Sequence, residues 1–235
     1  GVMALPAEQL IVLNPGQATA SGSIGVLAAG TGLGQAFALP LNNRMQPFPT
    51  EGGHAAFGPR SQEEIALLQF MMARQGERRG EAHVSVEQVC SGMAIPDLYA
   101  FMLSRYPEPE WMAKKRLQVA AGEETPLLVA AANDALAGGP ACEPAVYTMQ
   151  LFADILAAEA ANLALKMLTT GGIYLGGGMV LRLLSFFTPE RFMQIFCHGV
   201  YRELLAGIPV SIMIEPQTAL IGAWQLALHP LENLS

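Results

Sequence analysis

The chain has 235 residues, of which 51% are hydrophobic and 14% are charged, so it is long enough to bury a substantial core and is not an intrinsically disordered protein. The formal net charge is −7 and the basic residues form one short run, Lys114–Arg116, which argues against a nucleic-acid-binding surface. So few charges also predict that part of the surface is covered by a partner lobe or subunit.

The cysteines and the longest apolar run bear on where the protein is found. Cys90, Cys142 and Cys197 are widely spaced and odd in number, which is typical of reduced thiols in a cytoplasmic protein and gives no zinc-ligand spacing. The apolar run 167–181 contains five glycines and is followed by Arg182, so it is a poor membrane span. We therefore expect a cytoplasmic protein without a metal site, a membrane or a nucleic acid as partner.

The first forty residues are predicted to be rich in β-strands. Apolar runs at Leu10–Leu13, Ile24–Ala29 and Gln35–Leu39 are bounded by turn-forming residues. A glycine-rich turn, 30–34, joins the second and third runs with the spacing Gly-x-Gly-x-Gly. That spacing differs from the dinucleotide fingerprint, and no helix follows it, so a Rossmann fold is not indicated.

The stretch TEGGHAAFGP, residues 50–59, places Glu51 and His54 around Gly52 and Gly53, just after a segment that two prolines interrupt. Two interpretations are open on these residues alone. The glycines can form a simple turn with both polar side chains in water, or the acid and the histidine can face a ligand.

Two helix starts are predicted from capping patterns. Ser61 and Glu64 form a capping box ahead of a helix whose buried face we assign to Ile65, Leu68 and Met72. The segment VSVEQVCSG repeats the pattern and predicts that Glu87 lies in the first turn of a second helix. An acid in that position also has a structural explanation, because the helix dipole favours it.

The second half of the chain is predicted to be mostly helical. A helix opens at Pro126 and ends at Gly138, and the apolar run Pro144–Thr169 is expected to be a buried central helix. A short strand, Ile173–Leu175, then leads through Gly176, Gly177 and Gly178 into an apolar helix. These glycines fit either a ligand-binding turn or a tight strand-to-helix crossover.

A last strand is predicted at Val210–Ile214. With the earlier strands it should form one small mixed sheet packed against the central helix. The expected fold is therefore a single α/β domain.

Six motifs in order, GTGLG, EGGHAAFGP, HVSVEQVCSG, AANLAL, GGIYLGGGM and ALIGAW, closely resemble those of bacterial ATP-dependent glucokinases. The resemblance covers nearly the whole chain and implies the actin-like (ribonuclease H-like) sugar-kinase fold. It further implies that residues 1–235 are the single large carboxy-terminal lobe. The amino-terminal lobe, which carries a phosphate loop and the catalytic aspartate in that family, is absent from this sequence.

The same resemblance assigns roles to individual residues. Glu51, His54 and Glu87 match the family's sugar ligands. Gly30, Thr31 and Gly32 match the turn that faces the β- and γ-phosphates of ATP, and Gly176, Gly177 and Gly178 match the adenosine side of the cleft.

The implied activity is transfer of the ATP γ-phosphoryl group to the 6-hydroxyl of glucose, with Mg²⁺, in glycolysis. The catalytic base is expected in the other lobe, so this chain alone is expected to bind substrates without turning them over. A homodimer is also implied. Two alternatives stay open at this stage, a non-catalytic sugar sensor and a dimerisation module.

Overall fold

The computed structural model of the protein describes residues 1–42, 44–80, 82–120 and 122–228. The predicted unit 1–235 therefore ends in residues 229–235, which lie outside the described part of the chain. The strands are β1 (Leu10–Asn14), β2 (Ile24–Ala29), β3 (Leu33–Leu41), β4 (Arg44–Thr50), β5 (Gly172–Gly176) and β6 (Val210–Met213).

These strands form one six-stranded sheet in the order β1-β6-β5-β2-β3-β4. β2, β5 and β6 run parallel to one another, whereas β1, β3 and β4 run antiparallel to their neighbours. The mixed sheet and its five predicted strands are confirmed.

The sequence did not predict β4, because Pro47 and Pro49 lie within it. The structure shows why the prolines are tolerated. β4 is an edge strand, paired only with β3. Residues two apart point their backbone groups to the same side of a strand, so both ring nitrogens can face outward, where no hydrogen bond is needed.

The helices are α1 (Gln62–Arg79), α2 (Ile95–Leu103), α3 (Glu110–Arg116), α4 (Thr125–Leu136), α5 (Glu143–Met167), α6 (Gly178–Arg182), α7 (Pro189–Phe196), α8 (Arg202–Gly207) and α9 (Thr218–Leu228). α5 is the predicted central helix, and it packs against β2, α2, α4 and α7. Most of its buried apolar side chains belong to one connected cluster that includes β2, β5 and β6 residues. None of the helices in the described ranges is long and apolar enough to cross a membrane.

α1 begins as predicted but buries a different face. The Ser61 hydroxyl accepts a hydrogen bond from the Glu64 N–H at 3.1 Å. However, Ile65 and Met72 are each 39% exposed, whereas Leu67 and Met71 are fully buried. The prediction of the apolar face was therefore wrong by a shift around the helix, because a row through Leu67 and Met71 satisfies helical spacing equally well.

The prediction of a helix beginning near Ser85 is also wrong. Ser85 forms an isolated bridge with Ala56, and the Val86 and Glu87 N–H groups donate to the carbonyls of Ala55 and Gly53 at 2.9 and 2.8 Å. This pairing with the segment after β4 holds the backbone out of a helix. Glu87 consequently lies in a turn, and a 3₁₀ turn at Gly92–Ala94 precedes α2.

Candidate functional site

Two glycine-rich turns meet at one edge of the sheet. β2 and β5 are parallel neighbours in which Ala28 pairs with Gly176, so their carboxyl ends lie side by side. The turn after β2 contains Gly30, Thr31 and Gly32, and the turn after β5 contains Gly177. The structure therefore brings the predicted phosphate and adenosine segments together.

The turn after β2 is held by its own backbone and by the segment ahead of α2. The Gly30 N–H donates to the Gly32 carbonyl at 2.9 Å, and the Gly30 carbonyl accepts from Gly92 at 2.7 Å. Within the described ranges the N–H groups of Thr31 and Gly32 donate to no protein acceptor. These two donors and the exposed Thr31 side chain are available to an anion, whereas the Gly30 N–H is already used.

In the turn after β5, the backbone packs tightly at Gly177, whereas the space beside Gly178 is open. Gly177 has φ of 94°, and a Cβ atom there would lie 2.3 Å from the Ala29 carbonyl oxygen. Gly177 is therefore required for packing β5 against β2. Gly178 begins α6 with no atom within 4 Å of its missing side chain, which leaves space above the turn.

The three predicted sugar ligands, Glu51, His54 and Glu87, lie next to one another and are called the sugar cluster below. A 3₁₀ turn at Gly52–His54 places the His54 ring between two acids, with Nε2 lying 3.8 Å from Glu51 Oε2 and Nδ1 lying 3.9 Å from Glu87 Oε1. Both distances exceed a hydrogen bond, so the groups keep their bonding capacity for a ligand. The Glu51 side chain is 91% exposed and that of Glu87 only 22%, so Glu87 forms the floor of the cluster.

The glycines between Glu51 and His54 pack against β3. A Cβ atom on Gly53 would lie 2.2 Å from the Leu33 carbonyl oxygen, and one on Gly52 would lie 2.5 Å from Gln35 Oε1. Their bare α-carbons bring the loop down onto the sheet.

Glu87 connects the sugar cluster with the glycine turn after β2. Its Oε2 accepts a hydrogen bond from the Leu33 N–H at 2.8 Å, and a Cβ atom on Gly32 would lie 2.4 Å from the same oxygen. Oε1 remains free and faces His54. One carboxylate therefore touches both predicted subsites, and it can keep this position only while residue 32 has no side chain.

A pocket of about 210 Å³ continues from His54 and Glu87 between α1 and α2. Its lining includes Gln75 and Ser91, whose Oε1 and Oγ atoms are buried without a protein partner in the described ranges. Asp97 closes one wall and accepts two hydrogen bonds from Arg78, at 2.7 and 3.0 Å. These residues were not predicted from the sequence, although the buried face of α1, which continues from Met71 to Gln75, indicates one of them.

No group of three or more metal-ligating side chains is found in the part of the chain that the structure describes. The resemblance implies Mg²⁺ together with ATP. We assign it no ligand in this chain.

The chain as a whole is similar to several known proteins. The family model described as Glucokinase matches residues 1–230. A glucokinase from Trichormus variabilis is 37% identical over 229 residues, which cover 95% of this chain and 66% of that protein. A glucokinase crystal structure from an Antarctic psychrotroph has a TM-score of 0.76 at 28% identity and covers 97% of this chain and 64% of its own.

A more distant structure shares the fold. The ROK-family glucokinase of Streptomyces griseus, solved in complex with glucose and AMPPNP, has a TM-score of 0.56 at 19% identity, covering 89% of this chain and 61% of that one. The chain spans about two thirds of the length of these relatives, 66% in the case of the Trichormus protein. The predicted α/β fold of the actin-like sugar-kinase type is confirmed. The family match and the relatives together show that this chain belongs to the glucokinase family.

Proposed function

We propose that residues 1–235 form the large carboxy-terminal lobe of an ATP-dependent glucokinase, which transfers the γ-phosphoryl group of ATP to the 6-hydroxyl of glucose. One observation carries the proposal. Glu51, His54 and Glu87 converge beside the Gly30–Gly32 turn, and the Glu87 carboxylate touches both groups. Membership in the glucokinase family supports it.

The sugar cluster would hold the hexose by directional hydrogen bonds. The free oxygen of Glu87 and the exposed carboxylate of Glu51 can accept from neighbouring hydroxyl groups, and a His54 ring nitrogen can donate to or accept from a third. Charge-assisted bonds of this kind are the strong ones. Because Glu87 is fixed by Leu33, it would set where the sugar stands relative to the phosphate turn.

ATP, with its Mg²⁺, is the second substrate. The free N–H groups of Thr31 and Gly32 would donate to its β- and γ-phosphates, and the space above Gly178 would take the adenosine side. Phosphoryl transfer depends mainly on positioning and on stabilising negative charge, which are tasks for such donors. We place the base for the 6-hydroxyl in an amino-terminal lobe.

The composition and the family resemblance support proposals for location and assembly. Three free cysteines in the described ranges fit the reducing cytoplasm, where glucose phosphorylation would start glycolysis. We also propose a homodimer. The alternatives of a sugar sensor or a dimerisation module are not favoured, because the relatives are named glucokinases and the three sugar ligands are all present.

A coupled assay tests the proposal. The full-length protein should produce glucose 6-phosphate from glucose and MgATP in proportion to enzyme concentration, whereas residues 1–235 alone should stay at background. The same assay with Glu87→Gln in the full-length protein links turnover to this site. Turnover by residues 1–235 alone would contradict the assignment of the base to another lobe, and a full-length protein inactive on glucose would contradict the function.

A further inference from the structure

A buried polar network lies beneath the sugar cluster, outside the residues assigned so far. Gln35 of β3 donates from Nε2 to Glu159 Oε1 of α5 at 2.9 Å, and Asn162 donates from Nδ2 to Glu159 Oε2 at 2.9 Å. Gln35 is 7% exposed and Glu159 is 4% exposed. Both carboxylate oxygens therefore have an amide donor, which is how a buried acid is satisfied.

The network reaches the loop that carries Glu51 and His54. The Gln35 carbonyl accepts a hydrogen bond from Thr50 Oγ1 at 3.2 Å, and Thr50 Oγ1 accepts one from the Gly52 N–H at 3.0 Å. The side-chain oxygen of Gln35 also lies against the α-carbon of Gly52, because a Cβ atom there would be 2.5 Å away. Gln35 therefore supports this loop through both its main chain and its side chain.

Glu159 decides which way the Gln35 amide points. A carboxylate can only accept, so it holds the NH₂ end of Gln35 and leaves the oxygen end facing Gly52. The reverse orientation would place two acceptors against each other in a buried site. A buried acid is a poor source of stability, since apolar residues of similar volume do as well or better. The presence of an acid at residue 159 is better explained by the orientation that it imposes on the Gln35 amide.

We propose that Glu159 is a positioning residue for the sugar site, acting through Gln35 to hold the loop that carries Glu51 and His54. The proposal rests on the proposed function for its kinetic consequence. Its structural part, the placement of the loop, stands without that function.

Exchanging the two partners in the full-length protein gives the sharpest test. Glu159→Gln brings an NH₂ group against either Gln35 or Asn162, and Gln35→Glu brings two carboxylates together. The double variant restores every bond, because Gln at 159 can donate to Glu at 35 and accept from Asn162. All three variants keep the side-chain volumes.

A matched control is available on the same helix. Asp154 of α5 accepts hydrogen bonds from Arg191 of α7, the shorter at 2.7 Å, and from Gln150 of its own helix, and none from β3 among the described residues. Asp154→Asn therefore removes an acid from α5 without touching the network. Any general effect of changing a carboxylate on this helix would appear in this variant too.

Each single exchange should raise the KM for glucose about tenfold, with the KM for ATP within twofold of wild type. The double exchange should return the KM for glucose to within about twofold of wild type, and Asp154→Asn should leave it there. A wild-type KM in the single variants, an equal rise in the KM for ATP, or no rescue in the double variant would overturn the proposal.

Amide hydrogen exchange separates this inference from the proposed function. The His54 and Ala55 N–H groups close the 3₁₀ turn by donating to Glu51 and Gly52 at 2.9 and 3.1 Å. They should exchange faster in both single variants and return to wild-type rates in the double variant, whether or not the protein phosphorylates glucose. Unchanged exchange rates would overturn the proposal even in an active enzyme.

If neither single variant folds, Thr50→Val gives the same test from the half-exposed side of β4. It removes the oxygen that joins Gln35 to Gly52 while keeping the shape. The turn amides should then exchange faster and the KM for glucose should rise with little change in thermal stability. Wild-type values for both measurements would overturn the proposal.

Discussion

Glu51 and Glu87 are both predicted sugar ligands, but their surroundings differ. The Glu51 side chain is 91% exposed, and its Oε2 lies 3.8 Å from Nε2 of His54. Glu87 is mostly buried and is fixed by the Leu33 N–H. Glu51 can therefore be tested for ligand binding with little structural disturbance. A change at Glu87 combines loss of a sugar contact with loss of a structural one, and this structural part involves β3 rather than a helix terminus.

Glu51→Gln in the full-length protein should weaken glucose binding by one to two decades, because a charged hydrogen bond is worth about 1.5 to 3 kcal/mol. Isothermal titration of glucose measures the change. The thermal unfolding midpoint should stay at the wild-type value, since the replaced side chain is almost fully in water. The exposed acid Glu8, changed to Gln, is the control and should leave glucose affinity unchanged. A wild-type Kd in Glu51→Gln would return the loop to a simple solvated turn.

At the scale of elements, the β2–β3 turn and the sugar cluster are joined at one glycine. Gly32→Ala would place a Cβ atom 2.4 Å from Glu87 Oε2, so the carboxylate would have to move and release Leu33. We expect glucose affinity to fall about tenfold, although Gly32 was assigned to the nucleotide side. Direct titration of glucose without nucleotide makes this measurement.

Gly34→Ala is the matched control for that variant. Gly34 lies two residues further along β3, where a Cβ atom would meet its nearest neighbour at an ordinary 3.8 Å. Its glucose affinity should remain within twofold of wild type. Equal affinities in Gly32→Ala and wild type would show that the Glu87 carboxylate does not need its observed position.

The elements that the sequence predicts well are those with strong local signals. The strands of the sheet centre and the central helix α5 appear in the structure at nearly the predicted residues. The turn around Glu87 was mistaken for a helix because its bonds go to the loop after β4, thirty residues earlier in the chain. The Ser85–Gln88 pattern does form the local bond that it predicts, with the Ser85 N–H donating to Gln88 Oε1 at 2.8 Å. Long-range pairing then decides the backbone conformation.

For the whole molecule, the motifs suffice to propose site residues, but they do not predict how those residues are connected. Glu87 touching Gly32, and Gln35 supporting Gly52, each join segments that are distant in sequence, and no periodic pattern records such contacts. The pocket beside His54 was missed for the same reason, because α1, the segment 85–94 and the start of α2 line it together. Motif order therefore identified the family, while the geometry of packing distinguishes ligands from supports.

Buried thiol and phenol groups in the core should make the stability of the whole molecule decrease at alkaline pH. Cys90, Cys142 and Cys197 are free and buried, and burial is the main cause that raises the pKa of each thiol. Burial likewise raises the pKa of Tyr99. Above the ordinary thiol pKa of about 8.5 the unfolded chain releases the thiol protons while the native state keeps them, and the phenol proton of Tyr99 follows in the same way above about 10. The native state then binds more protons, so the free energy of unfolding should fall as pH rises.

Denaturant unfolding between pH 7 and pH 10 can assign this decrease in the free energy of unfolding to individual thiols. Each retained proton contributes a slope of up to about 1.4 kcal/mol per pH unit above pH 9. Cys90→Ala lowers stability at every pH because it leaves a cavity, but it should also flatten the alkaline slope by up to one proton. The slope, unlike the absolute stability, reports ionisation rather than packing. A Cys90→Ala protein that loses stability with the wild-type slope would show that this thiol does not stay protonated in the fold.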